Sequence, residues 1–306
     1  MIKRKGFSYR HNLAFISLVG IFLSITNALW AFLLSIAETE NKNFAVVALF
    51  MAFGFLVMPL AILLLKRQRF YLNYYAIATG IAFGVANAVL MSIFSYKDSA
   101  IIYSLIAPTI IVFVVMDILI NKARIKKGNA IKFLFGGIIA TTGFTLLAFN
   151  GLNLSLITFY DVVVSAFLIV VYGIAGFLLT QTGLKSKASY SSITTIAVFE
   201  IIAIAAFLPF SGDRLSLNGL PLSFIAGLIV STGVIVSFLG YNSLQKSIHA
   251  IAYSSIMYIL SEMETIFLVV FYSIFVGRLS IFVLFSIILI VSAIWYLSKE
   301  SDTAFS

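Results

Sequence analysis

Ten long apolar stretches separated by short polar loops fill almost the whole chain, and they decide the solvent in which it folds. They run over Leu13–Ile36, Asn43–Leu65, Tyr74–Phe94, Ser99–Ile120, Ala130–Phe149, Leu154–Gln181, Ser191–Phe210, Leu220–Tyr241, Ile248–Val276 and Leu279–Leu297. A bilayer core about 30 Å thick takes roughly 20 apolar residues per helix, the length of these stretches. They read as helices, because barrel strands would alternate over about ten residues and these runs are continuous. With 62% hydrophobic and 10% charged residues and a mean hydropathy of +1.12, the chain lies far from the roughly 25% charge of soluble domains. The basic amino end ahead of the first stretch resembles a signal peptide, but the stretch exceeds an h-region of roughly 7–15 residues, so a retained helix is expected.

The net charge of +9 is sorted by loop parity, which argues against nucleic acid as its partner. The amino end carries Lys3, Arg4, Lys5 and Arg10; the later even loops carry Lys66, Arg67, Arg69, Lys122, Arg124, Lys126, Lys127, Lys132, Lys185, Lys187, Lys246 and Lys299. The other side has Lys42, Lys97, Arg214 and Arg278. Cytoplasmic loops are enriched in Lys and Arg. The expected protein is therefore multi-pass, in the cell membrane, with both termini cytoplasmic.

No loop is long enough for a soluble domain, so function is expected between the helices. Residues 1–150 and 151–306 each hold five stretches. Homologous halves with an odd number of spans insert in opposite orientations, the inverted-repeat arrangement of secondary transporters. The expected fold is thus an all-α membrane protein with ten transmembrane helices in two inverted five-helix repeats. A degraded echo runs from Tyr96 through Ser99, Ala100 and Pro108 to Asn121, and from Tyr241 through Ala250, Glu264 and Thr265 to Gly277 and Arg278.

On these residues the chain resembles the drug/metabolite transporter superfamily, particularly its EamA-type ten-helix members. Ser99, Ala100 and Pro108 match that repeat in the first half, and Ala250, Glu264 and Gly277 in the second. Thr265 replaces the second proline, and Asn121 and Arg278 stand where the terminal glutamates would be. The resemblance implies transport of a small organic metabolite and a packing role for Glu264, and leaves the substrate open.

Ionisable groups deep in a membrane cost about 2.5 to 3.5 kcal/mol each on insertion scales, which marks them for function. Glu200, Glu262 and Glu264 lie at such depth, with no lysine or arginine at the same level. Two residues apart, Glu262 and Glu264 would point roughly 200° apart on a continuous helix, so one of them should face a cavity. Glu262 is expected to be that one, on a stripe with Ser254, Tyr258, Ser261 and Thr265. Asn27, Trp30, Asn87, Tyr103 and Tyr172 complete the candidate substrate or proton site. Asp117, Asp161 and His249 are expected at the solvated interface, Trp30 at an aromatic belt or a gate, and Gly80, Gly84, Gly173 and Gly176 at close helix crossings.

Enzyme chemistry is not expected. No glycine-rich loop ends in a lysine that would cradle phosphates, His11 and His249 have no metal-ligand spacing, and the chain lacks cysteine. No cofactor is expected. The expected function is secondary active transport of a small organic solute, with an amino acid, amine or other cation favoured by the carboxylates and protons as coupling partners. The alternatives are a passive facilitator or channel, and a sugar or nucleotide-sugar carrier of the same superfamily. The partners are that solute and the lipid bilayer, the chain acting as monomer or homodimer.

Overall fold

A computed structural model describes residues 9–41, 43–94, 102, 105–120, 127–148, 158–186, 188–211, 216–245, 250–264, 266–268, 285–293 and 295–296. Among the described residues there is no strand. The helices are α1 (Tyr9–Glu40), α2 (Phe44–Leu65), α3 (Tyr74–Phe94), α4 (Thr109–Ile120), α5 (Lys127–Ala148), α6 (Phe159–Lys185), α7 (Ser189–Ala205), α8 (Leu220–Leu244) and α9 (Ala250–Ser261). A 3-10 turn, η1 (Leu208–Phe210), follows α7, and 285–293 is helical.

Among the described residues, six helical segments are long and apolar enough to cross a membrane, in α1, α2, α3, α6, α7 with η1, and α8. Thr109–Ile120 and Leu134–Gly143 are apolar but shorter. The exterior fits the same solvent: Leu18, Leu65, Ile131 and Val162 are among many large apolar side chains turned outwards. A water-soluble monomer seldom exposes more than a few hundred Å² of such surface in one patch. In lipid the backbone must satisfy its own polar groups, which is why these apolar runs are helices.

Local signals set several helix ends. Asn43 Oδ1 accepts the Val46 N–H at 3.2 Å and caps α2. Thr158 and Asp161 form a capping box at the start of α6. Gly219 precedes α8 with φ 74°, a conformation that costs an L side chain, and Pro221 occupies the first turn.

The helices meet across the two halves of the chain. α8 packs on α1 and α2, α3 on α6 and α7, α2 on α7, α1 on α9, and α6 on α4. Several crossings bring a glycine against its neighbour. A Cβ on Gly227 would meet the Met51 carbonyl and the Phe55 amide, and one on Gly80 would meet the Ile196 carbonyl and the Glu200 amide. A Cβ on Gly20 would strike Leu260 Cβ beside the Met257 carbonyl of α9, and one on Gly173 would strike Val112 Cβ near the Thr109 carbonyl. Gly84 lies against Ala203 and the Glu200 carbonyl. Small residues at these points let the helices approach closely, as expected for Gly80, Gly84 and Gly173.

Two expected spans are not regular helices throughout. In the fourth, Ala107 and Pro108 form a turn before α4. In the ninth, α9 stops at Ser261 and Glu262–Met263 form a turn, with helical backbone again at Glu264 and 266–268. Conversely, α1 continues past its expected end at Ile36 to Glu40.

Candidate functional site

A cavity of about 130 Å³ opens among α1, α2, α3, the start of α4, α6, α7, α8, and α9 with the turn that follows it. A single water needs roughly 10–15 Å³ by this kind of measure, so there is room for a small solute. Glu200, Glu262, Glu264, Asn27, Trp30, Asn87, Tyr172 and Tyr258 all line it, together with Thr109, Ser261 and Tyr241. Tyr103, the remaining candidate, lies outside the described residues, as do Ser104, Asn121, His249, Thr265, Gly277 and Arg278. Among the described residues, no lysine or arginine lines it.

One wall is a hydrogen-bonded chain across three helices. The Tyr172 hydroxyl of α6 donates to Asn87 Oδ1 at 2.6 Å, and Asn87 Nδ2 of α3 donates to Glu200 Oε1 of α7 at 2.7 Å. Glu200 is 3% exposed. The amide thus holds both ends, accepting from a phenol and donating to a carboxyl, which fixes its own orientation.

The opposite wall is built by α9 and the turn that ends it. Tyr258 stacks on Phe113 with ring centroids 4.0 Å apart and planes 7° apart, and its ring edge fills the space that a side chain at Gly176 would need. The Tyr258 hydroxyl meets the Glu262 carboxyl, with Thr109 beside them. Glu264 meets Asn27 of α1. Tyr172 lies within electrostatic reach of all three glutamates, so the two walls face one small space.

The expectation that Glu262 and Glu264 would point apart is corrected. Their 200° separation holds on a continuous helix, but α9 ends at Ser261, and the turn at Glu262–Met263 brings both carboxylates to the cavity. Trp30 is 7% exposed and lines the cavity, so the aromatic-belt alternative does not hold. Asp117 and Asp161 are not solvated either, at 4% and 6% exposure. Asp161 is drawn inwards by its capping duty, accepting from the Thr158 amide and hydroxyl at 2.7 and 2.8 Å.

Thr109 and Tyr241 lie outside the expected set. Tyr241 is held by Thr180, the hydroxyls 3.1 Å apart. In the sequence, Thr109 directly follows Pro108, and that turn is the signal that a polar side chain there could face a cavity.

Neither a protein-family model nor a curated protein matches the sequence. A solved structure, described as "Crystal structure of protein", is similar with a TM-score of 0.64 and 14% identity, over 92% of this chain and 95% of the other. At that identity the likeness is one of fold.

Proposed function

We propose that this chain is a secondary active transporter of the drug/metabolite superfamily, EamA type. In this reading, ten helices form two inverted repeats, 1–150 and 151–306, in the cell membrane with both termini cytoplasmic. The cargo is a small organic solute bearing a positive charge, exchanged against protons. The observation that carries this is the central cavity, where three glutamates converge with no lysine or arginine beside them among the described residues.

The repeat is supported by how the helices pair. Exchanging α1–α4 with α6–α9 converts the α2–α8 contact into α7–α3, α1–α8 into α6–α3, and α1–α9 into α6–α4. The glycine contacts exchange residue by residue. Gly227 on Met51 and Phe55 matches Gly80 on Ile196 and Glu200, and Gly20 on Met257 and Leu260 matches Gly173 on Thr109 and Val112. In the same register Leu23 pairs with Gly176, Phe83 with Val230, and Asn87 with Val234, all of them lining the cavity. The cavity thus sits where an axis relating the halves would pass, the usual place for a carrier's site.

The matched positions also differ usefully. Where one wall offers Glu200 and Asn87, its counterpart offers Phe55 and Val234. A solute with an ammonium at one end and an apolar body fits that division, since aromatic faces also attract cations.

Alternating access then requires the charge on the glutamates to be cancelled by cargo in one state and by protons in the other, because an uncompensated buried carboxylate is costly. The test is uptake driven by a pH gradient into proteoliposomes, with cargo chosen by thermal-shift screening against amines, amino acids, sugars and nucleosides. Glu262→Gln is expected to abolish the response to the gradient. Unchanged gradient-driven uptake would refute the role of Glu262, and flux without saturation or counterflow would replace the carrier with a channel.

A further inference from the structure

α1 carries an ionisable group that the cavity does not use. Glu38 is 1% exposed, and among the described residues neither of its carboxylate oxygens has a hydrogen-bond partner. It belongs to the stripe Leu23, Asn27, Trp30, Leu34 and Glu38, whose three- and four-residue spacing puts all five on one side of the helix. Asn27 and Glu38 stand about 16 Å apart along the axis at 1.5 Å per residue. Between them come Trp30, which lines the cavity, and Leu34, which is fully buried. Leu34 belongs to an apolar cluster with Ala37, Val46, Val47, Leu90 and Met91. Glu38 is therefore separated from the central glutamates by an apolar plug.

Nothing described on the packed elements offsets its charge. α1 contacts α2, α3, α8 and α9. α2 has no ionisable side chain; α3 has Tyr74 and Tyr75 in its first turn, α8 has Tyr241 in its last, and α9 has Tyr253 and Tyr258. On α1 itself Arg10 and His11 belong to the opposite end of the helix and Glu40 follows, exposed; Lys42, and Asp213 and Arg214 in the loop whose Ser216 carbonyl accepts from Asn41, lie outside the described residues. A bare buried carboxylate needs a proton or a bound cation. A hard cation wants about six oxygen ligands, and the surroundings of Leu34 and Ala37 supply alkyl groups.

We propose that Glu38 is a second proton site, separate from the central glutamates and coupled to opening of the α1–α2–α8 end of the bundle. While that end is packed, the carboxyl keeps its proton. When it opens, water reaches the group, the O–H bond breaks, and the proton leaves as hydronium while the carboxylate stays behind. The packed form holds one more proton than the open form, so raising the pH favours opening, by at most about tenfold per pH unit. This rests on the alternating-access reading.

The chain has no cysteine, so one introduced thiol is the sole target for a membrane-impermeant maleimide. In the full-length protein in liposomes, labelling of Leu34→Cys is compared with that of Thr39→Cys, an exposed position, at each pH. The ratio cancels the thiol's own ionisation, and Ala31→Cys serves if Leu34→Cys does not fold. The ratio is expected to rise several-fold as the pH is raised above the ordinary carboxylate range with Glu38 present and to stay flat in Glu38→Gln. A flat ratio with Glu38 present, or the same rise in Glu38→Gln, overturns the proposal while leaving alternating access standing. A thiol at position 34 that never labels, beside a position 39 that does, also overturns this inference, whereas alternating access itself falls only if uptake shows neither saturation nor counterflow.

Discussion

Replacing Asn87 by leucine removes the two hydrogen bonds through which that side chain ties α3 to α6 and α7. Interhelical hydrogen bonds in membranes average about 0.6 kcal/mol and reach about 1.7, so Tyr172→Phe, which loses one good bond, is expected to cost about 1 kcal/mol. Asn87→Leu also leaves the Glu200 carboxyl buried without its donor, which adds a desolvation penalty, and is expected to cost about 2–3 kcal/mol. Because the Tyr172 bond can be lost only once, the double variant should fall short of the sum by about 1 kcal/mol. Equilibrium unfolding in mixed micelles, followed by helical circular dichroism, measures all four corners of the cycle. Coupling below about 0.3 kcal/mol, the scatter of independent sites, would mean that Asn87 and Tyr172 do not act as a unit.

Gly227→Ala and Gly80→Ala force a methyl group onto a backbone carbonyl and should each cost about 1–3 kcal/mol, seen as a lowered melting temperature. Gly137→Ala, whose nearest neighbour is 3.5 Å away, should be close to neutral in the same melt. Lys66 lies 4.5 Å from the Tyr190 ring centroid and Lys185 4.2 Å from that of Tyr75. Both pairs are exposed, so alanine at either lysine should change stability by less than about 1 kcal/mol. Gly219→Ala puts an L side chain at φ 74° against the Ala37 backbone and should cost at least about 1 kcal/mol.

Helix positions were legible because apolar runs of bilayer length announce themselves, and the eight described candidate residues meet in one cavity. That agreement rests on cost: polar groups in apolar helices turn away from lipid and so converge. Helix ends were harder to read. Charge ends the apolar run ahead of Glu38 and suggests a loop there, yet the four-residue step from Leu34 marks Glu38 as part of the stripe. The paired approach of Glu262 and Glu264 was hidden because a turn inside an apolar run leaves no glycine or proline signal at that point. The echo around Pro108 and Thr265 differs in register from the glycine contacts, which set Val112 opposite Leu260.

Those glycine contacts divide the bundle mechanically. At α2–α8 and α3–α7 the glycines rest on carbonyls and amides, which have no rotamers to change, so these pairs can neither slide nor tilt without breaking contact. At α1–α8 the glycines Gly233 and Gly240 rest on the side chains of Thr26, Leu23 and Val19, which can reorient. Near Glu38, by contrast, Gly219 rests on the Ala37 carbonyl, so α1 is held to α8 by backbone at that end and meets it through side chains at Gly233 and Gly240.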